Sequence, residues 1–319
     1  MREKIIELAK KLDADLVGFA PASRFDKEDP VFRIFPETKT VIGLGFRVLR
    51  GIYRGVEEGT TYYQYTTMGV ENLEETVMPM ALLRLANLIE AEGFTAVPQR
   101  KSPLIMEETD STNPEVDYSD VFRGIKDEPQ LDFVKTAVKC GLGEESKIHT
   151  LLTPEFGPFV RCVFILTDME IEPSPLFGGK LCDGCDACIA ACPGKAIKED
   201  GETDAWRCSV YYNGANGSKN PFMPPEAFAD FENRMEIIRG EAEFDSKEAR
   251  HILDNIFFYP PAKHFYRTSI CGRACDRACY IHLEEKGVLT RSFHKPFREK
   301  EDWKLSLSQF ETYQKEEKK

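Results

Sequence analysis

Residues 182–193 read CDGCDACIAACP, and the spacing C-x2-C-x2-C-x3-C, closed by Pro193, decides how the rest of the chain is read. The chain has 319 residues and ten cysteines, of which Cys140 and Cys162 stand alone and the other eight fall between Cys182 and Cys279. The N-terminus, MREKIIELAKKLDADLVGFA, has no apolar core segment, no twin arginine and no small-residue cleavage site, so a cytoplasmic location is expected. In that compartment disulfides are a poor account of clustered cysteine, and metal is the better one.

The spacing is that of the bacterial ferredoxin run. A tight loop wraps three thiolates around one face of a cubane, and the fourth cysteine, on the short helix that follows, points to a different cluster. Two clusters demand four more thiolates, and Cys208, Cys271, Cys275 and Cys279 supply them. By the crossover rule one 4Fe–4S cluster takes Cys182, Cys185, Cys188 and Cys279, and the other takes Cys192, Cys208, Cys271 and Cys275. The second run, C-x3-C-x3-C, departs from ferredoxin spacing and has Tyr280 where a proline would close it. Cys208 then stands in for the ligand that the shortened run lacks. Structural zinc is the alternative, but zinc sites draw on two pairs of ligands, often with histidine, and a four-cysteine run ending in proline is atypical of them. Cys140, at a helix end, and Cys162, within a strand, read as small core residues.

Around this region the sequence reads as α+β. Strands are expected at Ala14–Ala20, Thr40–Val48, Phe94–Val97 and Phe159–Thr167. Helices are expected at residues 2–12, Glu71–Glu92 and Leu131–Cys140. Residues 51–68, rich in glycine and tyrosine, read as a loop opening a helix, and the polar stretch 99–128 as a loop over a surface or site. These assign residues 1–175 to a mixed α/β domain and 176–285 to a cysteine domain with an insert at 213–265. A charged tail, 286–319, reads as a surface helix or frayed end. With 42 Lys and Arg against 54 Asp and Glu, the net charge of −12 does not suggest a nucleic-acid footprint, and no apolar run has the length of a membrane span. No Gly-x-Gly-x-x-Gly follows a strand and no Walker loop occurs.

The stretch GLGEESKIHTLLTPEFGPFVRCVFILTDMEIEPSP, running straight into CDGCDACIAACPGKAI, resembles the corrinoid-dependent iron–sulfur reductases, which include reductive dehalogenases and epoxyqueuosine reductases. Asp204-Ala205-Trp206-Arg207-Cys208 is similar to the single cysteine that follows the first run in that superfamily. The resemblance implies a nitroreductase-like α/β domain binding base-off cobalamin, beside a bacterial-ferredoxin-like domain with two 4Fe–4S clusters. It implies electrons from a low-potential donor such as ferredoxin or flavodoxin, passed through the clusters to the corrinoid, which reduces a small-molecule substrate in the manner of a dehalogenase. Two other readings stand beside it: an electron-transfer or activating protein serving a partner's corrinoid or flavin, and reduction of a tRNA base in the manner of epoxyqueuosine reductase. The negative charge, and a C-terminus too short for the helical repeats that hold tRNA in that group, set tRNA as the less favoured partner.

Reductive cleavage of a carbon–halogen or carbon–oxygen bond leaves a basic site that needs a proton. A tyrosine, with a pKa of about 10, carries one at neutral pH without tuning, whereas an aspartate near 3.9 needs burial to do so. Tyr63 and Tyr65, sharing a face if the segment is extended, are therefore the candidate donors. Asp127 is similar in placement to the acid of epoxyqueuosine reductases. Aromatic packing for the tyrosines, and a solvated loop for Asp127, are the plainer readings. His149 and Arg161, flanking Thr-Pro-Glu-Phe-Gly, are candidates for a corrin carboxamide or a substrate anion, Arg through its planar donor fork, or else surface residues.

Overall fold

A computed structural model describes residues 1–100, 129–256 and 268–313. Among these residues the order is α1 (Arg2–Lys11), β1 (Leu16–Pro21), α2 (Pro30–Ile34), β2 (Thr40–Arg47), α3 (Arg50–Glu58), a π-helix (Tyr65–Val77), α4 (Met78–Glu90), β3 (Ala96–Gln99), α5 (Phe133–Lys139), β4 (Glu144–Glu145), β5 (Leu151–Leu152) and β6 (Val160–Thr167). The cysteine half follows with α6 (Ala187–Ala190), α7 (Ala205–Tyr212), α8 (Arg234–Arg239), α9 (Ser246–Asp254), α10 (Ala274–Glu285) and α11 (Ser308–Glu311). The fold is mixed α/β. No helix among the described residues is long and apolar enough to cross a membrane.

The chain divides into two compact units, neither continuous in sequence. The first comprises Met1–Phe46, Val77–Gly143 and Arg161–Gly178; the second comprises Arg47–Thr76, Glu144–Val160 and Gly179–Lys319.

The first unit is built on a four-stranded sheet of order β1-β2-β6-β3. The β1–β2 pair is antiparallel with Leu16 opposite Gly45, and the β3–β6 pair is antiparallel with Ala96 opposite Thr167. The four strands fall where period and composition put them, within a residue or two. In β2 every residue from Thr40 to Phe46 is buried, as expected of a near-continuous apolar run. Helix α4 buries Met78, Leu82, Leu85 and Ile89, the helical repeat read from the sequence. Two glycines let α5 close on the sheet. A Cβ on Gly18 would stand 2.2 Å from the carbonyl oxygen of Cys140, and one on Gly43 would stand 3.0 Å from its Cβ. Cys140 is fully buried there, and burial pushes its thiol well up, so it is the small core residue expected of it.

The second unit departs from expectation in two places. Residues 51–68 are mostly helical, not a loop. Tyr53, Val56 and Glu57 form the buried stripe of α3, and Gly59, at φ +69°, ends it. Of the glycines that suggested a loop, Gly55 serves packing, since a Cβ there would meet the Thr61 side chain, while Gly51 faces open space. The long helix expected from Glu71 accordingly starts earlier, as a π-helix from Tyr65. The second departure is the C-terminal segment. Its charged composition suggested a surface helix or a frayed end; a short helix is present at Ser308–Glu311, but Phe297 and Phe310 are almost completely buried and the Trp303 ring lies against Gly59. Sparse aromatic residues pin it, and their spacing carries no helical period.

The insert shares a core with α7 and α11. Val210, Tyr211, Ile237, Ile238, Ala249 and Ile252 pack together with Phe310. Helix α9 opens with a full capping box between Asp245 and Glu248. This core braces the end of the first cysteine run: Asn216 Nδ2 donates to the Pro193 carbonyl at 2.6 Å, and the Tyr211 ring lies so close to Gly194 that a Cβ there would collide with it.

Candidate metal centre

The loop carrying the first three cysteines turns through left-handed backbone at Gly184 and Asp186, φ +76° and +59°. Glycine and aspartate are residue types that enter that region most readily. Glu144 anchors its start by accepting the Leu181 and Cys182 amides at 2.8 and 2.5 Å. Cys188 rides on α6, which packs against α10, the helix that carries Cys275 and Cys279.

The structure sorts the eight cysteines into two groups. Cys182, Cys185, Cys188 and Cys279 line one cavity. Burial, then Asp276 and the thiols of Cys188, Cys182 and Cys185, push the Cys279 thiol up. In the second group, burial and the nearness of Cys271 push Cys208 up to about 11, with Cys192 adding to the effect. Cys275 is raised by burial, by Asp276 and by Cys271 and Cys208. Cys271 is raised by burial and feels Cys192. Arg273 and Arg277 lie near the second group and pull its thiols down, but burial outweighs them, and a bound metal would supply the further positive charge that holds thiolates.

The backbone suits a cluster as well. Amide N–H groups of Lys147, Ala196 and Ala274 point at the sulfurs of Cys182, Cys192 and Cys271, at 3.4, 3.2 and 3.4 Å. Hydrogen bonds to sulfur are among the levers that set the potential of an iron–sulfur centre. The residues present therefore fit two four-cysteine clusters. A tighter trio of Asp183, Cys185 and His282 also occurs, but the carboxylate there is already engaged. Asp183 pairs with Lys286 and with His282 Nε2, and these partners, Lys286 first, hold its pKa far below the usual carboxylate range.

Helix α3 reaches the second group through a buried charge network. Arg277 donates through Nε to the Gly272 carbonyl (3.1 Å) and through Nη2 to the Cys271 carbonyl (3.0 Å). Its Nη1 is paired with Glu57, which is 5% exposed and also accepts from Arg298 Nε. Gly272, at φ +49°, lies against Val56. Arg273, also in the left-handed region, is held bidentately by the buried Asp276. Sequence reading missed Glu57 and Arg277. The Cys-Gly-Arg and Asp-Arg steps inside C-x3-C-x3-C were the available signal.

The remaining candidates fall as follows. Tyr63 and Tyr65 sit on helical backbone, so the alternation expected of an extended segment does not hold. Tyr65 is 2% exposed and lies 5.1 Å, centroid to centroid, from Tyr53. Tyr63 is half-buried. The neighbouring Tyr62 is buried, and its hydroxyl has no hydrogen-bond partner among the described residues. His149 is flanked by Glu145 at 2.5 Å and Glu202 at 3.3 Å, and these carboxylates, Glu145 foremost, raise its pKa. Arg161 lies on β6, half-buried. Asp127 lies outside the described residues. In the second unit, Arg47, Arg50, Glu155, Phe156, Tyr280 and Arg291 help line a cavity of about 260 Å³.

No family model matches the chain. It is similar to an epoxyqueuosine reductase of Bacillus subtilis, 24% identical over 251 residues, covering 74% of this chain and 60% of that protein. It is also similar to the tetrachloroethene reductive dehalogenase of Sulfurospirillum multivorans, 41% identical over 73 residues, 22% of this chain and 15% of that one. Both kinds of relative are corrinoid and iron–sulfur reductases, and the chain is similar to that superfamily. It spans about 60% of the length of the Bacillus subtilis member. Solved structures from both branches of the superfamily are similar to it. An epoxyqueuosine reductase from Streptococcus thermophilus has TM-score 0.43 and 17% identity, over 77% of this chain and 67% of that one. A catabolic reductive dehalogenase has TM-score 0.45 and 17% identity, over 89% of this chain and 36% of that one.

Proposed function

We propose that the chain is a cytoplasmic reductase holding two 4Fe–4S clusters, one on Cys182, Cys185, Cys188 and Cys279 and one on Cys192, Cys208, Cys271 and Cys275. It works with a corrinoid bound by residues before about position 175. The observation that carries this reading is the sorting of eight cysteines into two groups of four, with backbone amides aimed at their sulfurs. Two such clusters would supply one-electron transfer from a low-potential donor such as ferredoxin or flavodoxin, and a corrinoid would supply the strong reductant. The chain's own residues hold these groups, exclude water and deliver a proton. For the proton, Tyr63 is the more accessible of the two candidate tyrosines, and Tyr65 is enclosed by packing.

The length of the match shifts the substrate reading. Similarity to an epoxyqueuosine reductase runs over 251 residues, and similarity to a dehalogenase over 73. That favours reduction of a carbon–oxygen bond in a modified tRNA base over dehalogenation of a small molecule, reversing the weight that net charge had put against tRNA. Dehalogenation remains the second reading because of the 41% identity over the shorter stretch. Anaerobic protein loaded with iron, sulfide and cobalamin, given a chemical reductant, should convert epoxyqueuosine-containing tRNA and leave chlorinated ethenes and halophenols unchanged. The reverse pattern would install the dehalogenase reading. A base-on cobalamin spectrum with clusters intact, and no turnover of either class, would install the electron-carrier reading.

A further inference from the structure

The network around Arg277 is costly to build. A carboxylate that is 5% exposed and an arginine that is 9% exposed both lose hydration, and a buried pair of this kind rarely stabilises a fold more than packed apolar side chains would. Its geometry points at the second cysteine group. One guanidinium spans two successive carbonyls, those of Cys271 and Gly272, while its remaining arm is fixed by Glu57. Glu57 in turn is fixed by Arg298. The trio of Arg277, Glu57 and Arg298 carries one net positive charge, and Arg273 beside it is neutralised by Asp276.

We propose that Arg277, aimed by Glu57, is a positioning residue for the cluster on Cys192, Cys208, Cys271 and Cys275, which sets that cluster's reduction potential above the value its ligands alone would give. The proposal rests on the two-cluster reading. Arg277 acts in two ways. It fixes the Cys271–Gly272 turn, so that the Cys271 sulfur is presented to its partners with the Ala274 amide bonded to it. It also holds a cation beside a centre that gains an electron on reduction, which favours the reduced form. Among the described residues no arginine lines the first group, whose neighbouring charges, Asp183 with Lys286 and Lys147 with Asp186, are paired and more exposed. The device therefore separates the two potentials.

The test is a redox titration of anaerobically reconstituted protein, followed by electron paramagnetic resonance, on wild type, Arg277→Gln, Arg277→Lys and Glu57→Gln. Arg277→Gln is expected to lower the midpoint of one cluster and leave the other in place. Glu57→Gln, which removes the negative charge, is expected to raise that same midpoint. Arg277→Lys keeps the charge and should recover most of the wild-type potential while altering the signal shape of that cluster. Opposite shifts at one cluster cannot come from general loosening. No shift, shifts of one sign, or equal shifts at both clusters would overturn the proposal. If Arg277→Gln fails to fold, the sign of the Glu57→Gln shift decides alone. Wild-type protein that takes up no iron would instead overturn the cluster reading itself.

Discussion

The rings of Phe159 and Tyr280 lie face to face, with centroids 4.3 Å apart and planes 2° from parallel. Tyr53 stacks on the other side of Phe159 at 4.1 Å, and Tyr65 follows at 5.1 Å from Tyr53. Tyr280 is the residue after Cys279, so this column of four rings ends beside a proposed cluster ligand. Where ferredoxin spacing would place a proline, this chain places an aromatic anchor.

Phe159 is at the centre of that column and 2% exposed. Phe159→Ala removes two ring stacks and opens a cavity, which should cost about 3–5 kcal/mol. Chemical denaturation of the metal-free protein measures it. A loss below about 1 kcal/mol would show that the column collapses without consequence.

Tyr62 buries a hydroxyl with no partner among the described residues. Tyr62→Phe should stabilise the protein by about 1 kcal/mol, the order of an unsatisfied polar group. Burial also raises the Tyr62 pKa from 10.0 to about 12. A group whose folded pKa is raised keeps its full contribution below the unfolded value and loses it as pH climbs toward the folded one. Wild-type stability should therefore fall more steeply than that of Tyr62→Phe between pH 10 and 12. Melting curves at pH 8 and pH 11 compare the two, and parallel losses would contradict the assignment.

Gly194 follows the Cys192–Pro193 step and admits the Tyr211 ring against its backbone, where a Cβ would stand 1.8 Å from Tyr211 Cδ2. Gly194→Ala must displace that ring, and overpacking of this kind costs about 1–3 kcal/mol. The variant should also disturb the cluster that uses Cys192, seen as weaker absorbance near the sulfur-to-iron charge-transfer band. Unchanged stability and absorbance would mean that the insert does not brace the run.

The cysteine constellation was legible because metal chemistry imposes spacing that no other pressure does, and the sheet because its strands are bounded apolar runs. Glycine misled at α3. Gly51 and Gly55 read as breakers, yet Gly55 is selected by the nearby Thr61, a contact no local pattern announces. The C-terminal segment misled through composition, since Phe297, Trp303 and Phe310 are too sparse among lysines and glutamates to show a period. The partnership of Glu57 with Arg277 joins residues 220 positions apart, and a single sequence carries no signal for it.

Cys208 is the ligand whose assignment depends least on ferredoxin precedent. Cys208→Ala should remove or convert one cluster and leave the other, so that iron falls to about half of the wild-type content. Full retention of both cluster signals would make Cys208 a bystander.

The central claim is two clusters on one chain, and the most direct measurement is iron and acid-labile sulfide per chain after anaerobic reconstitution. Two four-iron clusters predict about eight of each, with the two sets of cysteines protected from alkylation; a plateau at about four of each, or zinc at one or two per chain in their place, would contradict it.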